Sequence, residues 1–303
     1  MLYLTALQEG LLYGLLALGV FISLRILNIP DLTTEGSFGF GNAAAALFAS
    51  MGMPFLSLPA AMAAGIIAGL VTGLLQTKLK VHPVLSGIIT MSGLYSVNLI
   101  VRGGPNLAVS DNSIFKIIYS MIGDLSRDEK RIAGAVVALA VAVVFVVLMI
   151  LFFKTHVGMC IRATGDNADM VRASSINVDL TKIVGLCTAN ALTALSGALI
   201  AHYVGYSDSS SSNGALIYGL AAVIIGEAIF GKRGVTIGLV SAVCGSVIYK
   251  MIVTFVVDAE LFGENSATLM KLMCAVIVAV TLAIPAVREN LAEYRNRKGA
   301  EAR

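Results

Sequence analysis

Apolar residues occur in long blocks that short polar stretches interrupt. The blocks near 8–27, 56–76, 83–101, 132–153, 183–202, 214–230, 234–257 and 268–285 each cross, or nearly cross, the ~30 Å hydrocarbon core of a bilayer as helix. Backbone groups in lipid must bond within their own segment, so these blocks read as α-helices. A further stretch, residues 28–52 (NIPDLTTEGSFGFGNAAAALFASMG), is apolar from Phe38 onward but short and rich in Gly and Ala, and it opens with Pro30, Asp31 and Glu35. It fits either a broken, part-crossing helix or an ordinary Ala-rich span packed inside the bundle; the broken form is the expectation. The pattern predicts one all-α polytopic membrane bundle, 1–303, of about eight to ten helices with a discontinuous second helix.

Composition agrees. Hydrophobic residues make up 57% of the chain and charged residues 13%, about half the charged share of a soluble domain. The first block carries Glu9, lacks a basic leading region and shows no small-residue cleavage site, so it is expected to stay as a span. Cys160, Cys187, Cys244 and Cys274 stand singly, as do His82, His156 and His202, and their spacings suit neither a disulfide framework nor a metal. A net charge of +3 points to juxtamembrane basic residues and membrane lipid, not to nucleic acid.

With residues 28–52 as a span the chain crosses nine times. One set of loops then holds Arg25, Lys78, Lys80, Lys154, Arg162, Arg172, Lys182, Lys232, Arg233 and the basic tail 286–303; the other holds basic residues only in 102–131, among several acids. The Lys/Arg bias predicts an external N-terminus and a cytoplasmic C-terminus. The external loops are then short, and YSDSSSSNG (206–214) reads as a flexible polar connector. Capture of a scarce solute would fall to another protein.

The cytoplasmic loop 154–182 is long, mixed in charge and helix-competent. Met159 and Ala163 share one side of a first short helix, and Asp166 or Asn167 caps a second from Ala168 to about Ser174. Alternation of Ala163, Met170 and Ala173 with Arg162 and Arg172 suits a knob for a partner's groove. An amphipathic helix resting on the membrane is the other reading, but Asp166, Asp169 and Asp179 disfavour it at an anionic leaflet.

Ionisable residues at mid-membrane cost about 2.5–3.5 kcal/mol each on insertion scales and call for a reason. Glu227 is expected to snorkel toward Lys232 and Arg233, Lys250 toward Asp258 or headgroups, and Lys271 lies near an outer interface. Asp31 and Glu35 either cap the short helix or line a solute path; Asn42, Asn98 and Asn190 are candidates for that path, with Thr193 and Ser196 beside them. Gly65, Gly69 and Gly73, and likewise Gly234, Gly238 and Ala242, form small-residue stripes for close packing within the chain or against a second copy. GEAIFGKR (226–233) nearly spells a phosphate loop, but Arg233 stands where a hydroxyl is required and no strand precedes it. Any ATP is used elsewhere.

Gly158, Arg162–Ala163, Met170 and Ile176–Asn177 resemble the cytoplasmic-loop pattern of permease subunits of bacterial ABC importers in the branched-chain amino acid and ribose permease superfamily. ILNIPDLTTEGSF (26–38), KLKVHPVLSGIITMSGLYSVN (78–98), GGPN (103–106) and GLAAVIIGE (219–227) are similar to the tryptophan/tyrosine-type transport permeases. Glu227, where the branched-chain branch usually has Gly, favours that subgroup.

The resemblance implies a bacterial inner-membrane homodimer and a substrate-binding protein or lipoprotein outside the membrane. It also implies a cytoplasmic ATPase that carries the ATP and Mg, this chain binding no cofactor and catalysing nothing. The coupling segment Gly158 to Asn177 would dock on the ATPase through Gly158, Met159, Arg162, Ala163, Gly165, Asn167, Met170, Arg172, Ala173, Ile176 and Asn177, and Asp31 to Asn42 would form the discontinuous helix beside the path. The implied substrate is an amino acid, aromatic ones leading. Ser175 departs from the Gly usual before Ile–Asn, so the loop exit is expected to be strained. Two other classes stand beside this one: a secondary transporter or channel, which leaves the loop idle, and a membrane scaffold, which needs no path.

Overall fold

The computed structural model describes residues 2–109, 113–122, 126–231 and 234–258, with 276 and 279. The expected last span 268–285, the basic tail, Lys271, Lys232 and Arg233 lie outside the described residues. The rest is a helix bundle: α1 (Leu2–Phe21), α2 (Thr33–Ser50), α3 (Pro54–Thr77), α4 (Pro83–Arg102), α5 (Ile114–Ile122), α6 (Arg127–Lys154), α7 (His156–Asp166), α8 (Ala168–Ala173), α9 (Val178–Val204), α10 (Ala215–Phe230) and α11 (Val235–Asp258). Among the described residues six helices are long and apolar enough to cross a membrane, while α10 is shorter. One two-stranded antiparallel pair, β1 (Asn106–Ala108) with β2 (Tyr206–Asp208), closes one end of the bundle, and α7 and α8 sit at the other.

α9 is the central rod, buried along most of its length, with α1 buried to the same degree; α6 shows most of its surface to the surroundings. α2 runs parallel to α9: Ser37 meets Asn190 and Asn42 meets Gly197. The two backbones touch almost directly, because a methyl group added at Gly41 would strike the Ala194 carbonyl and one at Gly197 the Phe38 carbonyl. α3 runs antiparallel on another face of α9. Its Gly65, Gly69 and Gly73 lie against Asn190, Leu186 and Ile183, so this stripe packs within the chain. Gly238 lies against the Phe21 ring in the same manner. Close backbone approach gathers dispersion contacts where lipid offers no hydrophobic drive between helices.

The expected break in the second helix lies ahead of it. α1 ends in a π-helical turn, Ile22–Ile26, and the chain then runs irregularly through 27–32 before α2 begins. Leu27 packs on Gly185 and Asp31 reaches Asn190, so this irregular backbone sits beside the middle of α9. From Thr33 to Ser50 the helix is unbroken.

Two ion pairs differ from the expectation. Glu227 pairs with Arg25 at the end of α1, and Lys250 pairs with Glu9 at 2.5 Å while lying over the Tyr13 ring. Each mates an acid with a base across helices; Lys232 and Arg233, toward which Glu227 was expected to snorkel, lie outside the described residues. Stacking of Tyr13 on Phe38 and contact with Tyr218, itself edge-on to Tyr249, joins α1, α2, α10 and α11.

Substituting Gly197→Val should force the α2 and α9 backbones apart and cost about 1–3 kcal/mol. Thermal unfolding of the purified chain in detergent measures it. An unchanged midpoint would mean that the contact is not tight.

Candidate functional site

At the α7–α8 end, the loop helices form for local reasons. The Thr155 hydroxyl caps α7 by accepting from the Gly158 amide at 3.3 Å. Asn167 caps α8, accepting from the Asp169 and Met170 amides at 3.1 and 3.0 Å, and Asn177 caps α9 through Leu180 at 3.1 Å. α7 is seated on the bundle by its inner face: Ile161 is fully buried, Thr164 and Thr181 share a hydrogen bond of 2.8 Å, and Gly165 lies directly against the Ile26 carbonyl. The outer face is free. Met159 is 52% and Met170 64% exposed, far more than packing residues show, and Arg162, Asn167, Arg172, Ala173 and Asn177 are exposed beside them. Ala163, Gly165 and Ile176 are half-buried; Gly158 is buried against Phe152 and Phe153. Ser175 has φ +61°, the left-handed conformation expected to strain a residue with a Cβ.

The path candidates divide into two groups. Asp31 is buried and accepts hydrogen bonds from the Thr33 amide at 2.9 Å and from Asn190 Nδ2 at 2.7 Å; the Asn190 carbonyl oxygen in turn accepts from Ser37 at 2.6 Å. This closed set holds the start of α2 to α9. Asn42 donates to the Gly197 carbonyl at 3.3 Å in the same interface. Ser196 donates to the Leu12 carbonyl and so bonds α9 to α1, whereas Thr193 donates to the Ala189 carbonyl one turn back in its own helix.

Glu35 and Asn98 instead face a cavity of about 330 Å³ between α2, α4 and the 209–214 loop, lined also by Gly36, Met91, Ser92, Tyr95, Ser212 and Asn213. The loop is no free connector: 206–208 is paired in the sheet, Asp208 caps its turn, and the Gly214 amide donates to Glu35 Oε1 at 2.9 Å. α2 and α10 therefore both begin at irregular segments that meet at Glu35.

Three features escaped the sequence reading. Thr33, Thr72 and Thr90 form a hydroxyl ladder of 2.7 and 3.0 Å joining α2, α3 and α4. Arg102, buried, donates to Ser207 at 2.8 Å and ties α4 to the β pair. His202 is 1% exposed; its Nδ1 accepts from the Ile114 amide, which leaves Nε2 as the donor to Ser57 Oγ at 2.6 Å. Single hydroxyls and one histidine carry no pattern along the chain, so their pairing is visible only in space.

The family model described as branched-chain amino acid transport system / permease component matches residues 2–283. The chain belongs to this permease family. The permease is 34% identical over 282 residues to a tyrosine transport system permease protein of Clostridioides difficile (strain R20291), covering 92% of this chain and 90% of that one. It is 27% identical to the fructose import permease protein FruF of Bifidobacterium longum (strain NCC 2705), over 98% and 82% of the two chains. Among solved structures, PsaBC from Streptococcus pneumoniae in complex with Fab superposes with a TM-score of 0.53 at 14% identity, over 91% of this chain and 89% of that one, which speaks for the fold alone. The permease is thus a multi-pass membrane protein of the ABC-importer class, as its helices and its family agree.

Two outcomes follow from this geometry. Asn190→Leu should strand Asp31 without its side-chain donor and destabilise the bundle by about 1–3 kcal/mol, read as a lower unfolding midpoint in detergent. Ser175→Gly should stabilise it by about 1 kcal/mol by relieving the left-handed turn, and hydrogen exchange across 170–180 should slow.

Proposed function

We propose that the permease is the membrane-spanning subunit of an importer for an amino acid or a similar small amphipathic solute, with aromatic amino acids foremost. The observation that carries this reading is the α7–α8 pair. α7 is seated on the π turn after α1 and on α9 through Gly165 and Thr164, and α8 buries Val171, yet the pair presents Met159, Met170 and Ala173 outward beside Arg162 and Arg172. An apolar knob rimmed by cations and fixed to the spans suits helix-in-groove docking on a cytoplasmic ATPase. The ATPase would bind the ATP and Mg and do the hydrolysis; this chain would catalyse nothing.

In this reading ATP-driven closure of the motor displaces α7, and α1 and α9 carry the displacement into the bundle, which alternates between openings toward the two sides. The basic residues described at the α7–α8 end, including Arg25, Lys78, Lys80, Lys154, Arg162 and Arg172, support a cytoplasmic location for that end and an external N-terminus. Among the described residues the opposite end offers only short elements, so in this reading delivery falls to an external binding protein or lipoprotein at a bacterial inner membrane.

A second permease copy fits the face of α4. Ser92, Tyr95 and Ser96 are exposed there on a spanning helix, and lipid tails cannot satisfy hydroxyl groups. A second copy against this face would close the Glu35 cavity from the outside. The tyrosine permease of Clostridioides difficile is the relative that supports an aromatic amino acid as solute.

The test is ATP hydrolysis by the chain co-expressed with the candidate ATPase in nanodiscs, with and without binding protein and a panel of amino acids. Stimulation by one loaded binding protein is expected, and failure of any ATPase to associate would overturn the reading. Ala163→Asp places a charge in the docking face. It should lower uptake at least tenfold, about 1.4 kcal/mol or more of lost coupling, while the unfolding midpoint stays within a degree or two. Normal uptake in this variant would remove the loop from the docking role.

A further inference from the structure

Three acids packed between helices of the described bundle have partners that Glu35 lacks. Glu227 has Arg25, Glu9 has Lys250, and Asp31 has the amide donors of Asn190 and Thr33. Glu35 has a single backbone donor, the Gly214 amide on Oε1; its Oε2 has no partner among the described residues. A carboxylate within a membrane bundle is expensive unless paired, and Glu35 faces a cavity with one oxygen unpartnered. A second, independent feature points the same way. Asn98 is 6% exposed and lines the same cavity; its amide nitrogen donates to the Gly36 carbonyl, and its Oδ1 is buried without a partner. Buried acceptors left unmade carry a penalty of about 1–3 kcal/mol each.

The cavity is therefore lined by a carboxylate with one unpartnered oxygen and by an amide whose oxygen lacks a donor. Water could serve either, but only a cation also compensates the charge. A divalent metal would want several anionic oxygens, and no cluster of three or more His, Cys, Asp or Glu exists among the described residues. A protonated amine has three donors and one charge, which matches the set. Met91 and Tyr95 supply an apolar and aromatic wall, with the Ser92 and Ser212 hydroxyls beside it, and about 330 Å³ has room for a solute of amino-acid size.

We propose that Glu35 and Asn98 form an ammonium subsite on the solute path, at which a primary-amine-bearing solute is held by its amino group during passage. In this structure the Gly214 amide occupies the other oxygen of Glu35, so the amine is taken up without displacing the loop. The inference rests on the transport reading and adds what the path recognises.

The test uses the purified full chain in nanodiscs and saturation-transfer NMR with three probes of one ring system: L-tyrosine, tyramine, and 3-(4-hydroxyphenyl)propionate, which lacks the amine. Tyramine and L-tyrosine should receive saturation and the propionate should not. Glu35→Gln, which keeps the acceptor for Gly214 and removes the charge, should weaken both amines about tenfold. Asn98→Leu serves as the second variant should Glu35→Gln fail to fold, and it should weaken the amines in the same direction. Equal saturation by the propionate, amine binding unchanged in the variants, or saturation of no probe would each overturn the subsite. Capture of the ATPase by the wild-type chain is measured in parallel. A chain that captures its ATPase yet binds without regard to the amine loses the subsite and keeps the importer assignment.

Discussion

Everything in this bundle depends on an irregular piece of backbone, residues 27–32, being tolerable beside the middle of α9. Peptide groups outside a helix have no water to bond in hydrocarbon, so such a segment survives only where protein supplies the partners. Here the π turn passes hydrogen bonds from Leu27 to Ile22 and from Ile29 to Ser23, and Asp31 then takes the amide of Thr33 and the side chain of Asn190. The second helix can start partway along the bundle because the protein itself supplies these partners. Its early start is in turn what puts Glu35 beside a cavity instead of at a surface.

Small residues then decide which helices may move together. α2, α3 and α9 meet through glycine and alanine at near-contact of their backbones, and such seams allow little relative motion because interiors pack like crystals. α4 is held to the same group by threonine hydroxyls and by Gly36 and Gly87. α10 and α11 form the other block, keyed by Gly226 and Gly245 and joined to α1 by tyrosines and two ion pairs. Between the blocks the contacts of α2 with α10 are few and polar, with the Glu35 cavity close by.

The spans, the short second helix and the two loop helices were readable along the chain because each has a local cause. Apolar length specifies a crossing; Asn167 announces a helix start within three residues; Ser175 sits where a turn wants glycine. What could not be read was partnership across distance. Nothing near Glu227 along the chain points to Arg25, its partner 202 residues away. The two roles open to Asp31 and Glu35 also looked alike, four residues apart at one helix start; only the position of Asn190 against that of a cavity separates a structural acid from one facing open space. YSDSSSSNG reads as flexible by composition, yet a single carboxylate and a three-residue strand fix it.

The wide turn at the end of α1 has one more effect. Three successive residues leave it in three directions: Arg25 to α10, the Ile26 carbonyl to Gly165 of α7, and Leu27 to Gly185 of α9. A regular helix would spread these contacts over a longer stretch of rod. Gathered into one turn, they make a fork at which α7, the α2–α9 block and the α10–α11 block meet on successive residues. If α7 takes the push proposed above, that push would reach both halves of the bundle through a few ångströms of backbone instead of a flexible loop.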